Sequence, residues 1–178
     1  MRYLTRGWCD SDLDDDEVEA ARAAYWARID AIENRLPEPL LRLARHVNLH
    51  DGVIESVTWE PANKTLVLDV VASALKPPHQ VQNVRITLGG ALMGERRINS
   101  LRDVARDRES SILYWEVDLD DRGWSPDAPF ILRLLFWPRD ELSIDFAELT
   151  LAVEDRTDGR VRLSPYFLVV VPDEDEAG

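Results

Sequence analysis

The sequence predicts an α+β fold in which an N-terminal helical hairpin packs on a largely antiparallel, curved β-sheet of about seven strands. Apolar residues recur at steps of three and four up to residue 47, and from residue 48 they alternate with polar residues. The links between successive strands are short, which favours antiparallel pairing because a parallel crossover needs about a dozen residues or more. The length of 178 residues predicts a single domain, with helical residues 1–47, β-rich residues 48–172 and an acidic tail at 173–178.

Two helices are predicted before residue 48. The first spans residues 12–36, and its apolar stripe consists of Val18, Ala21, Tyr25, Ile29, Ile32 and Leu36. Ser11 or Asp12 is expected to cap this helix, and Pro37 and Pro39 end it because proline cannot continue a helix. A shorter helix follows over residues 39–47, and the Pro-containing turn between them favours an antiparallel pair.

The strands are predicted from alternating apolar positions. Their approximate ranges are 53–59, 66–70, 80–88, 113–119, 130–137, 142–153 and 161–171. Residues 98–108 are expected to form a short amphipathic helix or an ordered loop. The strand at 130–137 is almost continuously apolar, as is typical of a central strand covered on both faces. The apolar phase reverses near Ala147-Glu148, which predicts a β-bulge or bend, and Asp158-Gly159 predicts a hairpin turn before the last strand.

The net charge of −13 is concentrated in two short segments. Residues 10–19 hold seven acidic side chains and residues 173–176 hold four, so the rest of the chain is nearly neutral. Because nucleic-acid binding requires a basic surface, we predict no nucleic-acid partner. The first acidic segment either caps a helix and interacts with its dipole or forms a patch that docks a basic protein partner. The residues of this candidate patch are Asp12, Asp14, Asp15, Asp16 and Glu17.

Several classes of protein are not expected. The single Cys9 excludes a disulfide framework and a multi-cysteine metal site. The longest apolar run, Tyr166 to Val171, is far shorter than the ~20 residues that span a bilayer, and the first ten residues lack the apolar stretch of a secretory signal. We therefore expect a cytoplasmic protein without a membrane partner, cofactor or metal.

The scarcity of histidine limits the possible acid–base chemistry. His50-Asp51 is the one adjacent pair of this type, and it lies where the helices give way to the first strand. A metal site there would recruit His46, His79 or Asp69, but the helix that could align His46 with His50 ends between them. The alternative is a turn in which Asn48 or Asp51 forms local hydrogen bonds. The neighbouring motifs of a His-Asp phosphohydrolase are missing, because strands follow where helices are required.

Other patterns also favour a non-enzymatic role. Glu116 and Asp118 are two residues apart on a predicted strand and therefore share a face, which is typical of a solvated sheet face. No nucleophile elbow, phosphate loop or dinucleotide fingerprint is present. We predict no catalytic residues. Candidate binding residues are His50, Asp51, Tyr114, Arg133 and Trp137.

Four segments resemble a bacterial family of unknown function: MRYLTRGWC, NLHDGVI, ILYWEVDL and LLFWPRDELSIDF. The matching positions are Tyr3, Thr5, Trp8, His50, Asp51, Tyr114, Phe136, Trp137, Pro138 and Phe146. Trp115 departs from the family pattern, which has a polar residue there. The His-Asp turn entering a β-sheet also resembles immunity-type proteins of bacterial toxin systems.

We therefore expect a non-enzymatic protein-interaction module of immunity type, with its acidic segment and its sheet edges or faces as binding surfaces. The alternative is a small-ligand binder or hydrolase centred on the His50-Asp51 turn, which predicts a pocket where these groups meet. A third possibility is a structural subunit that associates through a sheet edge, so the chain is expected to be a monomer or a weak homodimer.

Overall fold

Seven antiparallel strands and four helices are present in the computed structural model, which describes residues 1–9, 14–74, 81–121, 123, 127–138 and 141–156. The helices are α1 (Arg6–Cys9), α2 (Asp15–Ile32), α3 (Glu38–His46) and α4 (Glu95–Arg106), and a 3-10 turn (Glu33–Arg35) follows α2. The strands are β1 (Val53–Glu60), β2 (Thr65–Ser73), β3 (Val81–Gly89), β4 (Ser111–Leu119), β5 (Phe130–Trp137), β6 (Glu141–Phe146) and β7 (Glu148–Asp155). The predicted α+β class is confirmed.

The strands form two sheets, so the expected single curved sheet is wrong. One sheet has the order β1-β2-β3-β7 and the other the order β4-β5-β6. An isolated bridge between Gly52 and Ile112 joins them, and the chain passes from β6 to β7 through a bend at Ala147. The predicted bend at this position is confirmed. The bend separates β6 from β7, which belong to different sheets. Because the apolar phase reverses at the bend, both strands turn their apolar side chains toward the same core.

The central position predicted for residues 130–137 is confirmed, since β5 lies between β4 and β6. Residues 98–108 are mostly helical, in α4. The expected strand at 161–171, the turn before it and the acidic tail lie outside the described residues, as do Asp12 and His79. No helix in the described ranges is long and apolar enough to cross a membrane.

Helix α2 begins later than predicted, and its cap is Asp14 rather than Ser11 or Asp12. The Asp14 carboxylate accepts from the backbone N–H of Glu17 at 2.9 Å, and the Glu17 carboxylate accepts from the N–H of Asp14 at 3.1 Å. This reciprocal capping box satisfies two backbone donors at the helix end.

The predicted helical hairpin also differs from the observed arrangement. Helix α2 packs against β4, whereas α3 packs against β4 and β7, so each helix buries its apolar side on the sheets rather than on the other helix. Polar contacts link the two helices, because Arg45 of α3 pairs with Asp30 of α2 and with Glu33.

Candidate functional site

An apolar pocket of about 240 Å³ lies between α2, α3 and β4, and it is the candidate functional site. We call it the aromatic pocket. Its lining residues are Leu4, Arg22, Tyr25, Trp26, Ala44, Arg45, Val47, Asn48, His50, Tyr114 and Trp115. The basic side chains among its lining residues are Arg22, Arg45 and His50, and none of the described lining residues is a carboxylic acid.

Tyr25 joins α2 to the edge of β4. Its ring is 4% exposed, and its hydroxyl accepts from the backbone N–H of Val117 at 3.1 Å. Burial raises the pKa of the Tyr25 phenol, although the hydrogen bond from Val117 opposes the shift. The hydroxyl therefore remains protonated and satisfies a backbone donor on a strand edge that would otherwise have no partner.

Trp26 forms the outer wall of the pocket. It is 37% exposed, which makes it one of three large apolar side chains that the described residues leave exposed. The Arg45 guanidinium lies 5.8 Å from the centroid of its ring, within the range of a cation–π contact. The ion pairs of Arg45 with Asp30 and Glu33 hold the guanidinium in place. This wall is therefore ordered although it faces solvent.

Trp115 and Ala44 form the inner wall. The Trp115 indole N–H donates to the carbonyl of Leu43 at 3.3 Å, which fixes the ring against α3. Ala44 lies on the same helix and has the small side chain that leaves room for the pocket.

His50 and Tyr114, two of the predicted site residues, meet at the rim. Their rings contact edge to face with centroids 4.9 Å apart. His50 Nδ1 lies 2.9 Å from Asp51 Oδ2, which favours the tautomer that carries its proton on Nδ1 and leaves Nε2 as an acceptor. The backbone N–H of His50 donates to Asn48 Oδ1 at 3.1 Å, so the local hydrogen bonding expected at this turn is present as well.

The turn that carries His50 is held tightly. Asp51 has a φ of 61°, in the left-handed region that aspartate tolerates better than most residues. Its backbone N–H donates to the carbonyl of Ile112 at 2.8 Å. A β-carbon at position 52 would lie 2.8 Å from the Leu49 carbonyl oxygen, so glycine is required there by close backbone approach.

The remaining predicted site residues lie elsewhere. Arg133 lines a separate cavity, together with Met1 and Arg2. Trp137 is 36% exposed at the end of β5 and does not line the aromatic pocket. Of the acidic patch, Asp14, Asp15, Asp16 and Glu17 are exposed at the start of α2. Asp14 and Glu17 form the capping box, and a docking role for the patch stays a prediction.

Glu116 and Asp118 share a face of β4 as predicted, but the expectation that this face is solvated is wrong. Their exposed fractions are 0% and 1%, because residues 1–4 and α2 cover the face. Glu116 accepts from the backbone N–H groups of Arg2, Tyr3 and Leu4 at 2.7–3.1 Å. Glu116 therefore fixes Leu4, which forms part of the pocket wall.

Asp118 is enclosed by positive charge. Arg28 Nε donates to it at 2.8 Å, and Arg2 and Arg133 approach its second oxygen at 3.3 Å. Desolvation by burial raises the pKa of Asp118, but the hydrogen bonds from Arg28 and from the Leu119 amide, together with the charges of Arg28 and Arg133, outweigh it, so the pKa is lowered. The carboxylate is therefore ionised at neutral pH.

Comparison of this chain with family models, curated proteins and solved structures finds no match. Membership of the family proposed from the four segments stays a prediction.

Sequence reasoning assigned only His50 and Tyr114 of the pocket lining to a site, and it missed Trp26, Arg45 and Trp115 among the others. Trp26 lies beside the apolar stripe of α2, and this displacement was the available signal that it faces outward. Nothing in the local sequence places Arg45 against it. Within the described ranges, no group of three or more His, Cys, Asp or Glu side chains is arranged to hold a metal ion.

Proposed function

We propose that this chain is a non-enzymatic protein-interaction module that receives one large apolar side chain of a partner in the aromatic pocket. The small volume of the pocket and its apolar walls support this proposal. At about 240 Å³ it is smaller than the roughly 300–1,000 Å³ typical of pockets for drug-sized ligands. Its size suits a single side chain, and its walls are apolar.

The composition of the pocket supports the same function. Tryptophan, tyrosine and arginine are the residue types that dominate the energetics of protein interfaces. Trp26, Tyr114 and Trp115 line the pocket, and Trp26 is exposed without a partner protein. The most specific form of the proposal, suggested by the resemblance to immunity-type proteins, is that the partner is a toxin.

The positive charge at the rim of the pocket indicates the charge of the partner segment. Arg22 and Arg45 flank the opening, and the described lining residues contribute no carboxylate. A partner segment with an acidic residue beside its apolar anchor therefore complements the rim. The contact of Arg22 with Glu19 joins two exposed groups, so Arg22 can exchange Glu19 for an acidic residue of the partner at little cost in free energy.

The test is a selection of peptides from a random displayed library on the immobilised full chain. We expect enriched peptides to share one large apolar residue next to Asp or Glu. Their binding should be lost with Ala44→Leu, which fills the pocket from α3, and with Trp26→Ala, which removes its outer wall. Ala27→Leu makes the same substitution at an exposed position of α2 and should bind like the wild type.

Two results would contradict the proposal: enriched peptides without a shared apolar anchor, or equal binding to the pocket variants and to the Ala27→Leu control. The fold of each variant is checked by its far-UV circular dichroism spectrum, so a loss of binding is not confused with a loss of structure.

A second candidate function, a hydrolase at the same pocket, rests on the pairing of His50 with Asp51 at 2.9 Å. This pair supplies a general base. No serine, threonine or cysteine is among the described lining residues, so the nucleophile would be water. Hydrolysis of p-nitrophenyl acetate that is abolished by His50→Gln would favour this function, and equal rates for the two proteins would reject it.

A further inference from the structure

A second cavity, of about 460 Å³, lies between residues 1–2, β4 and β5. Its charged lining residues are Arg2, Arg133, Asp118 and Asp121. The segment of residues 1–4 separates it from the aromatic pocket, because Arg2 lines one and Leu4 lines the other. The proposed protein-interaction function does not use this cavity or Arg133.

The carboxylates around this cavity are satisfied largely without Arg133. Glu116 accepts from three backbone N–H groups at 2.7–3.1 Å. Asp118 accepts from Arg28 at 2.8 Å and from the amide of Leu119 at 2.9 Å. Asp121 pairs with Arg28 and with Arg35.

Arg133 makes only long contacts by comparison. Its Nη1 lies 3.4 Å from Glu116 and 3.3 Å from Asp118, and these are its polar contacts among the residues that the structure describes. A guanidinium has five N–H donors in a planar fork. The Arg133 side chain is 14% exposed and lines the cavity. Its Nε and Nη2 groups have no polar partner among the described residues and are accessible to solvent, so they are available to a ligand there.

Among the charged side chains that line the cavity, Arg2 and Arg133 are matched in number by Asp118 and Asp121. Arg28 and Arg35 pair with these aspartates from outside the lining, so the two lining guanidinium groups are less fully neutralised. The Arg2 side chain is 54% exposed and reaches Asp118 with one nitrogen, so it can turn toward a ligand in the cavity. Guanidinium groups bind carboxylates and phosphates through paired, charge-assisted hydrogen bonds.

We infer that this cavity is an oxyanion site, in which Arg133 and Arg2 bind the carboxylate or phosphate group of a small ligand. Arg133 is the fixed ligand-binding group, because β5 and the buried carboxylates hold it. Arg2 is the mobile one.

The test is a titration of the ¹⁵N-labelled full chain with inorganic phosphate, and separately with acetate, at fixed ionic strength and with any tag at the C-terminus. The Nε–H signal of Arg133 and the amide signals of Leu119 and Ile131 report on the cavity. We expect saturable shifts of these signals with at least one anion, at millimolar concentration. The anion that binds more tightly identifies the ligand group as phosphate or carboxylate.

Two variants and one control make the assignment specific. Arg2→Gln should raise the dissociation constant by about fivefold or more, because one of two charge-assisted contacts is lost. Arg133→Lys keeps the charge near Glu116 but removes the fork, and should weaken binding similarly. Arg106→Gln is the matched control, since Arg106 is an exposed arginine whose Nη1 lies 3.4 Å from an aspartate.

Shifts that do not saturate with either anion would overturn the inference. It would also be overturned if Arg106→Gln weakened binding as much as Arg2→Gln, because binding would then follow net charge alone. Neither result bears on peptide binding in the aromatic pocket, so the two proposals fail independently.

Discussion

At the residue scale, Glu116 couples the N-terminal segment to the candidate site. Its carboxylate is fully buried and accepts from three successive backbone N–H groups. Without that acceptor, the buried N–H of Leu4 and the half-buried N–H groups of Arg2 and Tyr3 would lose their hydrogen-bond partner. The position of Leu4 in the pocket wall therefore depends on a side chain in the middle of β4.

Glu116→Gln should lower the free energy of unfolding by about 2 kcal/mol, because hydrogen bonds to a charged acceptor contribute about 1.5–3 kcal/mol and the amide group turns a donor toward the backbone N–H groups. Urea denaturation followed by circular dichroism measures the change. Glu148→Gln is the control, since Glu148 is exposed at the start of β7 and should give a change near zero. Equal effects of the two substitutions would show that Glu116 does not hold the N-terminal segment.

Asp118 predicts a dependence of stability on pH. Its pKa is lower in the folded protein than the ordinary value of 3.8. The folded state therefore gains stability from the ionised carboxylate above that value, and the gain is lost as the pH falls toward the folded pKa. We expect the wild type to be more stable than Asp118→Asn by a constant amount above about pH 5, and this difference to shrink below about pH 4. A difference that is the same at every pH from 3 to 6 would contradict the assigned ion pairs.

At the scale of elements, the acidic residues at the start of α2 stabilise the N-terminus of this helix. Asp14→Ala should destabilise the protein by about 1 kcal/mol, because the N-cap hydrogen bond to Glu17 is lost. Asp16→Ala removes only a charge in the first turn, and should cost about 0.3–1 kcal/mol at low salt and less at high salt. Thermal denaturation at two salt concentrations compares them. If both variants lost the same stability and responded equally to salt, the capping box would not be the main role of Asp14.

The turn between α3 and β1 is the element that presents His50. Gly52→Ala should cost about 1–3 kcal/mol, because the new β-carbon would lie 2.8 Å from the Leu49 carbonyl and 3.1 Å from Val70. The displacement should also shift the NMR signals of His50 and Tyr114. Gly89→Ala is the matched control, since its nearest contact would be an ordinary 3.4 Å. A Gly52→Ala variant as stable as this control would show that the close approach at position 52 does not constrain the turn.

Features that depend on neighbouring residues in the sequence could be predicted, whereas features that depend on distant contacts could not. The spacing of apolar residues predicts the bounds of α2, α3, β1 and β5 to within a few residues of the observed ones, because this spacing is a local property of the sequence. The reversal of phase at Ala147 predicts the bend. It does not show that the chain enters a different sheet there, because the partner of β7 is the distant β3.

At the scale of the whole molecule, the candidate site joins segments that are far apart in sequence. His50 and Tyr114 were predicted as site residues, and the structure brings their rings into contact. Arg133 was predicted with them but lines a different cavity. The burial of Glu116 and Asp118 was not predictable, because alternation on a strand is the same whether solvent or an N-terminal segment covers the polar face.

The two sheets, the helices and residues 1–4 together enclose one core, and the aromatic pocket opens at its surface where α2, α3 and β4 meet. The site is therefore a property of the complete fold. A specific hydrogen bond holds each wall of the pocket in place. The Tyr25 hydroxyl bonds to β4, the Trp115 indole bonds to α3, and the Glu116 carboxylate holds Leu4.

The most direct measurement is an NMR titration of the full chain with N-acetyl-tryptophanamide, with nuclear Overhauser effects recorded between ligand and protein. The account predicts saturable binding, Overhauser effects from the ligand indole to the rings of Tyr114 and Trp115, and loss of both in Ala44→Leu but not in Ala27→Leu. Overhauser effects confined to other surfaces, or binding that Ala44→Leu leaves unchanged, would contradict the claim that this pocket receives an apolar anchor.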